Sequence, residues 1–340
     1  MTEQAPLKTL TERPRIEDVA MLAGTSAMTV SRALRQPGKV AAETLARILT
    51  AVDTLGYVPN LSASSLASRR SGILAVLVPT IGNSIFSETV RGLADAVAAA
   101  DLHLLIGDFG YSADKRRTLV RALVGRQPDA LVIVGAVQDE VVRASLRRQA
   151  VPVVETWELS PDPIDVIVGF SNFEAGAAVA RHLVERGRTR CAFVGGVESR
   201  AEARLAGFAA ALAAAGAPPP ISEIPADLSI VSGREALGRI LARAPDIDGI
   251  FFATDVMAVG GLLECQRRGI AVPSRIAIAG LGNLEMGRQM QPALTTIEIP
   301  AYAMGHRAGA LILARLAAKG LPASERIIDL GFSLLARGTT

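Results

Sequence analysis

Two cysteines in 340 residues, Cys191 and Cys265, are too few for a disulfide framework and too far apart for a metal-ligand spacing. Both read as buried thiols in a reducing compartment. Histidine is almost as scarce. His103, His182 and His306 are scattered along the chain, which leaves no metal set, and no nucleophile–base constellation is visible either. The expectation is therefore no catalytic residue, no metal and no cofactor. No apolar run approaches the roughly 18 residues of a membrane span. The polar N-terminus lacks the apolar core of a secretory signal, so a cytoplasmic chain is expected, neither exported nor membrane-bound.

An excess of either charge is also missing, with 36 Lys and Arg against 33 Asp and Glu, but the small surplus is not spread evenly. Residues 1–70 hold nine basic side chains and six acidic ones, and the remainder holds 27 of each. A basic module on a neutral body points to a polyanionic partner for that module alone. Half of the residues are apolar and a fifth charged, a globular composition. At about 100–200 residues per domain, two or three domains are expected.

Ile16, Val19, Ala20 and Ala23 recur at i, i+3, i+4 and i+7, one stripe of a helix stopped by Gly24. Ser26 caps a second helix to about Leu34, and Gln36-Pro37-Gly38 breaks it. A third runs from about Ala41 to Leu55, with Gly56 as its stop. Serine-rich residues 60–70 form a connector with enough polarity for a linker and a capping Asn60 for a short helix. From Gly72 onward short apolar runs alternate with helical segments, beginning with Ile73–Val78, Leu102–Ile106 and Ala130–Val134. A second round begins near Val166 and includes Arg190–Val194, Ile250–Ala253 and Ile276–Gly280. Runs without alternation are strands buried on both faces, so the core reads as two α/β lobes with parallel sheets. Strand ends facing one another across two such sheets make a ligand cleft.

The segment Ile16–Leu34 has the requirements of a helix-turn-helix: small Ala20 where the helices touch, Gly24 in the turn, Val30 and Leu34 facing inward. Ala27, Met28, Ser31 and Arg32 are left outward at the start of the second helix, where a major groove would meet them. Arg32 suits a bidentate guanine contact, Ala27 and Met28 suit thymine methyls, and Thr25, Thr29 and Ser31 suit phosphates. Two ordinary core helices present the same string, so the motif alone does not decide the matter. Gly280-Leu-Gly282 followed by Gly287 is not a dinucleotide fingerprint, because the third glycine falls two places late.

Three further blocks settle what the motif resembles. Asp18–Leu34 reads DVA-x-x-AG-x-S-x-x-TVSR-x-L, and Gly56–Leu66 reads G-Y-x-PN-x-x-A-x-x-L. The core adds Arg204-Leu-Ala-Gly-Phe208, Thr254-Asp-Val-Met257 and Pro292–Ile297. In this order the chain resembles the lactose/galactose repressor (LacI/GalR) family over nearly its whole length. Val168–Ala175, Glu264–Arg267 and Asp329–Phe332 are similar to its gluconate-utilisation branch. The resemblance implies a headpiece over 14–58, a hinge helix over 59–71 and a two-lobed, periplasmic-binding-protein-like core over 72–340. The chain is expected to cross between lobes near 155–165 and 282–300.

It also implies that Leu66 wedges the minor groove, with Asn60 and Ala63 nearby; Ser64 stands where many relatives have arginine. Arg69 and Arg70 are left open between phosphate contacts and a solvated end. The family's effector positions fall on Ile85, Phe86, Phe170, Arg200, Arg204, Thr254 and Asn283, with Leu228 and Gly282 where sugar-binding members often have an aromatic and an aspartate. Losing that aspartate while keeping two arginines favours an anionic ligand, a sugar acid such as gluconate or a ketogluconate. The expected protein is a ligand-responsive repressor acting as a homodimer on pseudo-palindromic double-stranded operator DNA. The dimer expectation rests on the chain ending soon after its last strand, without a heptad tail. Its rivals are a sugar solute-binding protein of a transporter, which predicts a signal peptide and no headpiece, and an α/β enzyme, which predicts a polar catalytic cluster.

Overall fold

The computed structural model describes residues 14–58, 70–82, 84–149, 151–225, 227–317 and 326–340. The chain divides into two compact units, 1–71 and 72–340. In the first, helices α1 (Ile16–Leu22), α2 (Ala27–Arg35) and α3 (Ala42–Leu55) surround a very small core. Val19, Ala20, Ala23, Val30, Ala33, Ile48 and Ala51 fill it, four of the seven being alanines that let the helix axes approach. Gly24 takes a left-handed φ of 62° in the turn, a conformation that costs glycine nothing. Ser26 then caps α2, its Oγ accepting the Thr29 amide at 3.2 Å.

The second unit holds two six-stranded sheets. The first has the order β2-β1-β3-β4-β5-β11, built from β1 (Ile73–Val78), β2 (His103–Asp108), β3 (Ala130–Val134), β4 (Val153–Thr156), β5 (Val166–Gly169) and β11 (Ile327–Asp329). The second repeats it as β7-β6-β8-β9-β10-β12, from β6 (Cys191–Val194), β7 (Ile221–Glu223), β8 (Gly249–Phe252), β9 (Ala277–Leu281), β10 (Thr295–Glu298) and β12 (Ser333–Leu335). Every pairing is parallel except β10 with β12. Between β11 and β12, Gly331 takes a left-handed φ of 67°.

Helices α4 (Ser87–Val97), α5 (Ala113–Val124), α6 (Glu140–Gln149), α7 (Asn172–Glu185), α8 (Ser199–Ala214), α9 (Ile230–Arg243), α10 (Asp255–Arg268), α11 (Glu285–Arg288) and α12 (Ala301–Leu316) complete the lobes. Ser112, Ser171, Ser229 and Thr254 cap four of them, each accepting a backbone amide three residues on. The α7–α8 crossing is close: a Cβ on Gly176 would stand 2.0 Å from the Arg204 carbonyl oxygen, and one on Gly207 would stand 1.9 Å from that of Phe173.

The first lobe change lies at Gly169–Asn172, later than the 155–165 expected, because β5 still pairs with β4 in the first sheet. A second lies at Glu298–Ala301, where β10 leaves the second sheet and α12 packs on α4, at the end of the 282–300 interval. A third, unexpected, runs from Asp329 to Ser333. Phe86, Trp157, Phe170 and Phe332 meet edge to face around these crossings, with centroids 4.8–6.4 Å apart.

Candidate functional site

On the first unit, Met28 is 72% exposed and Arg32 is exposed beside it on α2. Thr25 is half-buried. Thr29 shares a hydrogen bond with Ser26 at 2.9 Å, and Ser31 accepts one from the Arg35 guanidinium. Ala27 does not point outward as expected; as the first residue of α2 it is half-buried and packs against the headpiece core. The expected wedge Leu66, with Asn60 and Ala63, lies outside the described residues.

On the second unit, strand order reverses between β1 and β3 in one sheet and between β6 and β8 in the other. The loops after such strands leave on opposite sides of the sheet and open a crevice at their carboxyl ends. Ile85 and Phe86 follow β1, Gly135 and Ala136 follow β3, Ser199 and Arg200 follow β6, and Ala253 and Thr254 follow β8. Topology alone therefore gathers these residues from both lobes. The lobes touch where Ser199 Oγ donates to Glu158 Oε2 at 3.1 Å, and Glu158 also accepts the Ala136 amide at 3.0 Å.

Arg204 acts as a brace: its Nε donates to Asn172 Oδ1 at 2.8 Å and its Nη1 to the Ala253 carbonyl at 3.1 Å. Burial, reinforced by the neighbouring Arg200 charge, pulls its guanidinium down to about 10. Asn172 in turn donates to the Trp157 carbonyl at 2.9 Å, so the brace continues into the first lobe. Arg200 differs. Its side chain is 5% exposed and lies over the Phe86 ring at 5.7 Å, yet its Nη1 has no hydrogen-bond partner among the described residues. Tyr111 stands near both arginines, and burial raises its phenol to about 12, which keeps the hydroxyl protonated.

The other expected effector residues separate into two groups. Thr254 is buried, its Oγ1 accepting the Met257 amide at the cap of α10, and Phe170 is 0% exposed within the aromatic cluster, so neither presents an open surface to the cleft. Ile85 and Asn283 instead line an open cavity of about 1120 Å³ beside the crossings, with Met286, Tyr302 and Phe332. Asn283 is held at both ends, donating to Glu298 at 2.8 Å and accepting from Arg337 at 2.6 Å. Leu228 is half-buried against the second-lobe core.

Residues 15–60 match the model of the lacI family of bacterial regulatory proteins, and residues 180–340 match a periplasmic binding protein-like domain. The HTH-type transcriptional regulator GntR of Pseudomonas aeruginosa is 38% identical over 97% of this chain and 96% of its own length. The chain belongs to the lacI family. A solved lacI-family transcriptional regulator from Silicibacter pomeroyi superposes with a TM-score of 0.88 at 32% identity, covering 96% of this chain and 99% of that one. The lac repressor dimer bound to operator and an anti-inducer superposes at 0.77 with 25% identity, covering 96% and 99%. This lacI-family chain is a DNA-binding transcriptional regulator and not an enzyme. No helix among the described residues is long and apolar enough to cross a membrane.

Three residues of the arginine cleft escape a reading of the sequence. Glu158, Asn172 and Arg116 acquire meaning only from their partners. A signal for Glu158 was present, since it directly follows the one tryptophan at the carboxyl end of a parallel strand. Asn172 and Arg116 sit in ordinary amphipathic helices and carried none.

Proposed function

We propose that the chain is a cytoplasmic, dimeric repressor that binds a pseudo-palindromic operator and is switched by a sugar acid held between the lobes. The observation that carries the effector reading is Arg200, buried where both sheets reverse and with an Nη1 that has no hydrogen-bond partner among the described residues. A buried guanidinium left short of one acceptor is costly, and a carboxylate restores it. Glu158 and Tyr111 stand nearby to meet hydroxyls. The operator reading is supported by the exposed Met28 and Arg32 on a capped second helix. Two-fold proteins read two-fold DNA, and the lac repressor dimer on its operator is a relative of matching length.

Calorimetry with gluconate and with glucose tests the effector. Binding of the acid and not of the aldose is expected, and tight binding of glucose alone would overturn the reading. Gel shifts on fragments flanking the gene, with and without gluconate, test the switch; equal affinity for every fragment would refute sequence-specific repression.

A further inference from the structure

A second guanidinium approaches the same point from the opposite lobe. Arg116 projects from α5 and lies over the Phe109 ring at 4.4 Å, with its Nη1 3.5 Å from the Ala136 carbonyl. Its Nε is buried and has no hydrogen-bond partner among the described residues. Arg200 reaches the adjoining residue from α8: a Cβ built on Gly135 would stand 3.1 Å from its Nη1. Two arginines from different lobes thus converge on Gly135-Ala136, at the carboxyl end of β3, each with an unsatisfied donor. Burial and the Arg200 charge both push the Arg116 guanidinium toward its neutral form, with Glu158, Asp139 and Glu155 opposing them.

The carboxylates around the pair are largely occupied. Glu158 takes the Ala136 amide and the Ser199 hydroxyl, Glu155 takes the Val137 and Ile164 amides, and Asp139 pairs with Arg117. Like charges brought together in a partly dry cleft repel, and that repulsion opposes approach of the lobes.

We propose that Arg116 and Arg200 jointly receive the anionic end of the effector, one from each lobe, so that the anion itself straps the lobes together. This rests on the sugar-acid reading and names the residues that would sense its charge. A neutral sugar of the same shape leaves the repulsion unrelieved, so it gains nothing from the closed arrangement and is not held. A ligand shifts an equilibrium only through such a difference. The carboxyl group therefore serves as the switch, and the hydroxyls serve as address. A carboxylate and a phosphate share this chemistry, and the experiment separates them.

The test measures binding of gluconate, glucose and inorganic phosphate by calorimetry to the full chain and to Arg116→Gln, Arg200→Gln, the double variant and Arg116→Lys. Circular dichroism and thermal unfolding verify the fold of each. For gluconate, each glutamine variant is expected to lose at least about tenfold in affinity, as for a hydrogen bond to a charged group. The double variant is expected to lose less than the product of the two, because both donors grip one anion. Arg116→Lys should recover part of the loss.

Gluconate affinity unchanged in Arg116→Gln, or purely additive losses, would overturn the strap while leaving the sugar-acid reading standing. If the wild type binds phosphate and not gluconate, and Arg116→Gln abolishes that binding, the strap stands with a phosphorylated effector and the sugar-acid reading falls. If the wild type binds neither anion, both fall.

Discussion

Asp255 has no exposed surface, and burial raises its carboxyl to about 6 against the Thr296 hydroxyl at 2.6 Å and the Leu284 amide at 2.7 Å, which lower it. Below about pH 4 the group is neutral in both folded and unfolded chains. Between about 4 and 6 the unfolded chain ionises first, so this residue's contribution to stability falls as pH rises through that window, by on the order of 3 kcal/mol. Thermal unfolding of Asp255→Asn across pH 4–7 should show a flatter descent than wild type; parallel curves would remove Asp255 from the titration. The same scale governs specificity on the DNA side. Arg32→Ala should cost about 1–3 kcal/mol at one base position of each half-site, measured by competition with operators altered one pair at a time. A uniform loss across all sequences would make Arg32 a phosphate contact.

Helices bring these residues to their places, and the α7–α8 crossing is the most exacting. Neither Gly176 nor Gly207 has room for a methyl group, since the obstructing atoms are backbone carbonyls that cannot rotate away. Gly207→Ala should therefore separate the helices, lower stability by about 1–3 kcal/mol and, by moving α8, weaken effector binding. Thermal unfolding and calorimetry on the same variant check both losses; wild-type values in both would contradict the account. Elements of this kind were legible in the sequence where pattern is strong. Ile73–Val78 and Ala130–Val134 stand out as unbroken apolar runs, and the capping serines mark helix starts. Ile221–Glu223 and Ile327–Asp329 did not stand out, because three residues at a sheet edge carry no period. The first lobe crossing was placed too early for a related reason: only pairing partners tell which sheet a strand such as Val166–Gly169 joins.

At the scale of the whole molecule the two functions differ in how far sequence reaches. The residues expected to read DNA are contiguous in the headpiece, Thr25 to Arg32 on one turn and one helix, so a sequence can nominate them directly. The cleft is assembled from Arg116, Glu158 and Arg200, which lie far apart in the chain and meet only because two sheets reverse order at the same level. That convergence also makes the switch measurable. The Ser199–Glu158 bond joins the two lobes, a hydroxyl donating to a carboxylate, so its loss should disfavour this arrangement by roughly 1.5–3 kcal/mol. If the effector selects this arrangement, Ser199→Ala should weaken gluconate binding by about tenfold or more, without touching the arginines. Linkage then requires that the gluconate concentration needed to change operator affinity rise by a matching factor. Gel shifts titrated with gluconate read that concentration directly. An unchanged midpoint alongside weakened binding would show that the arrangement selected by the effector is not the one that governs DNA.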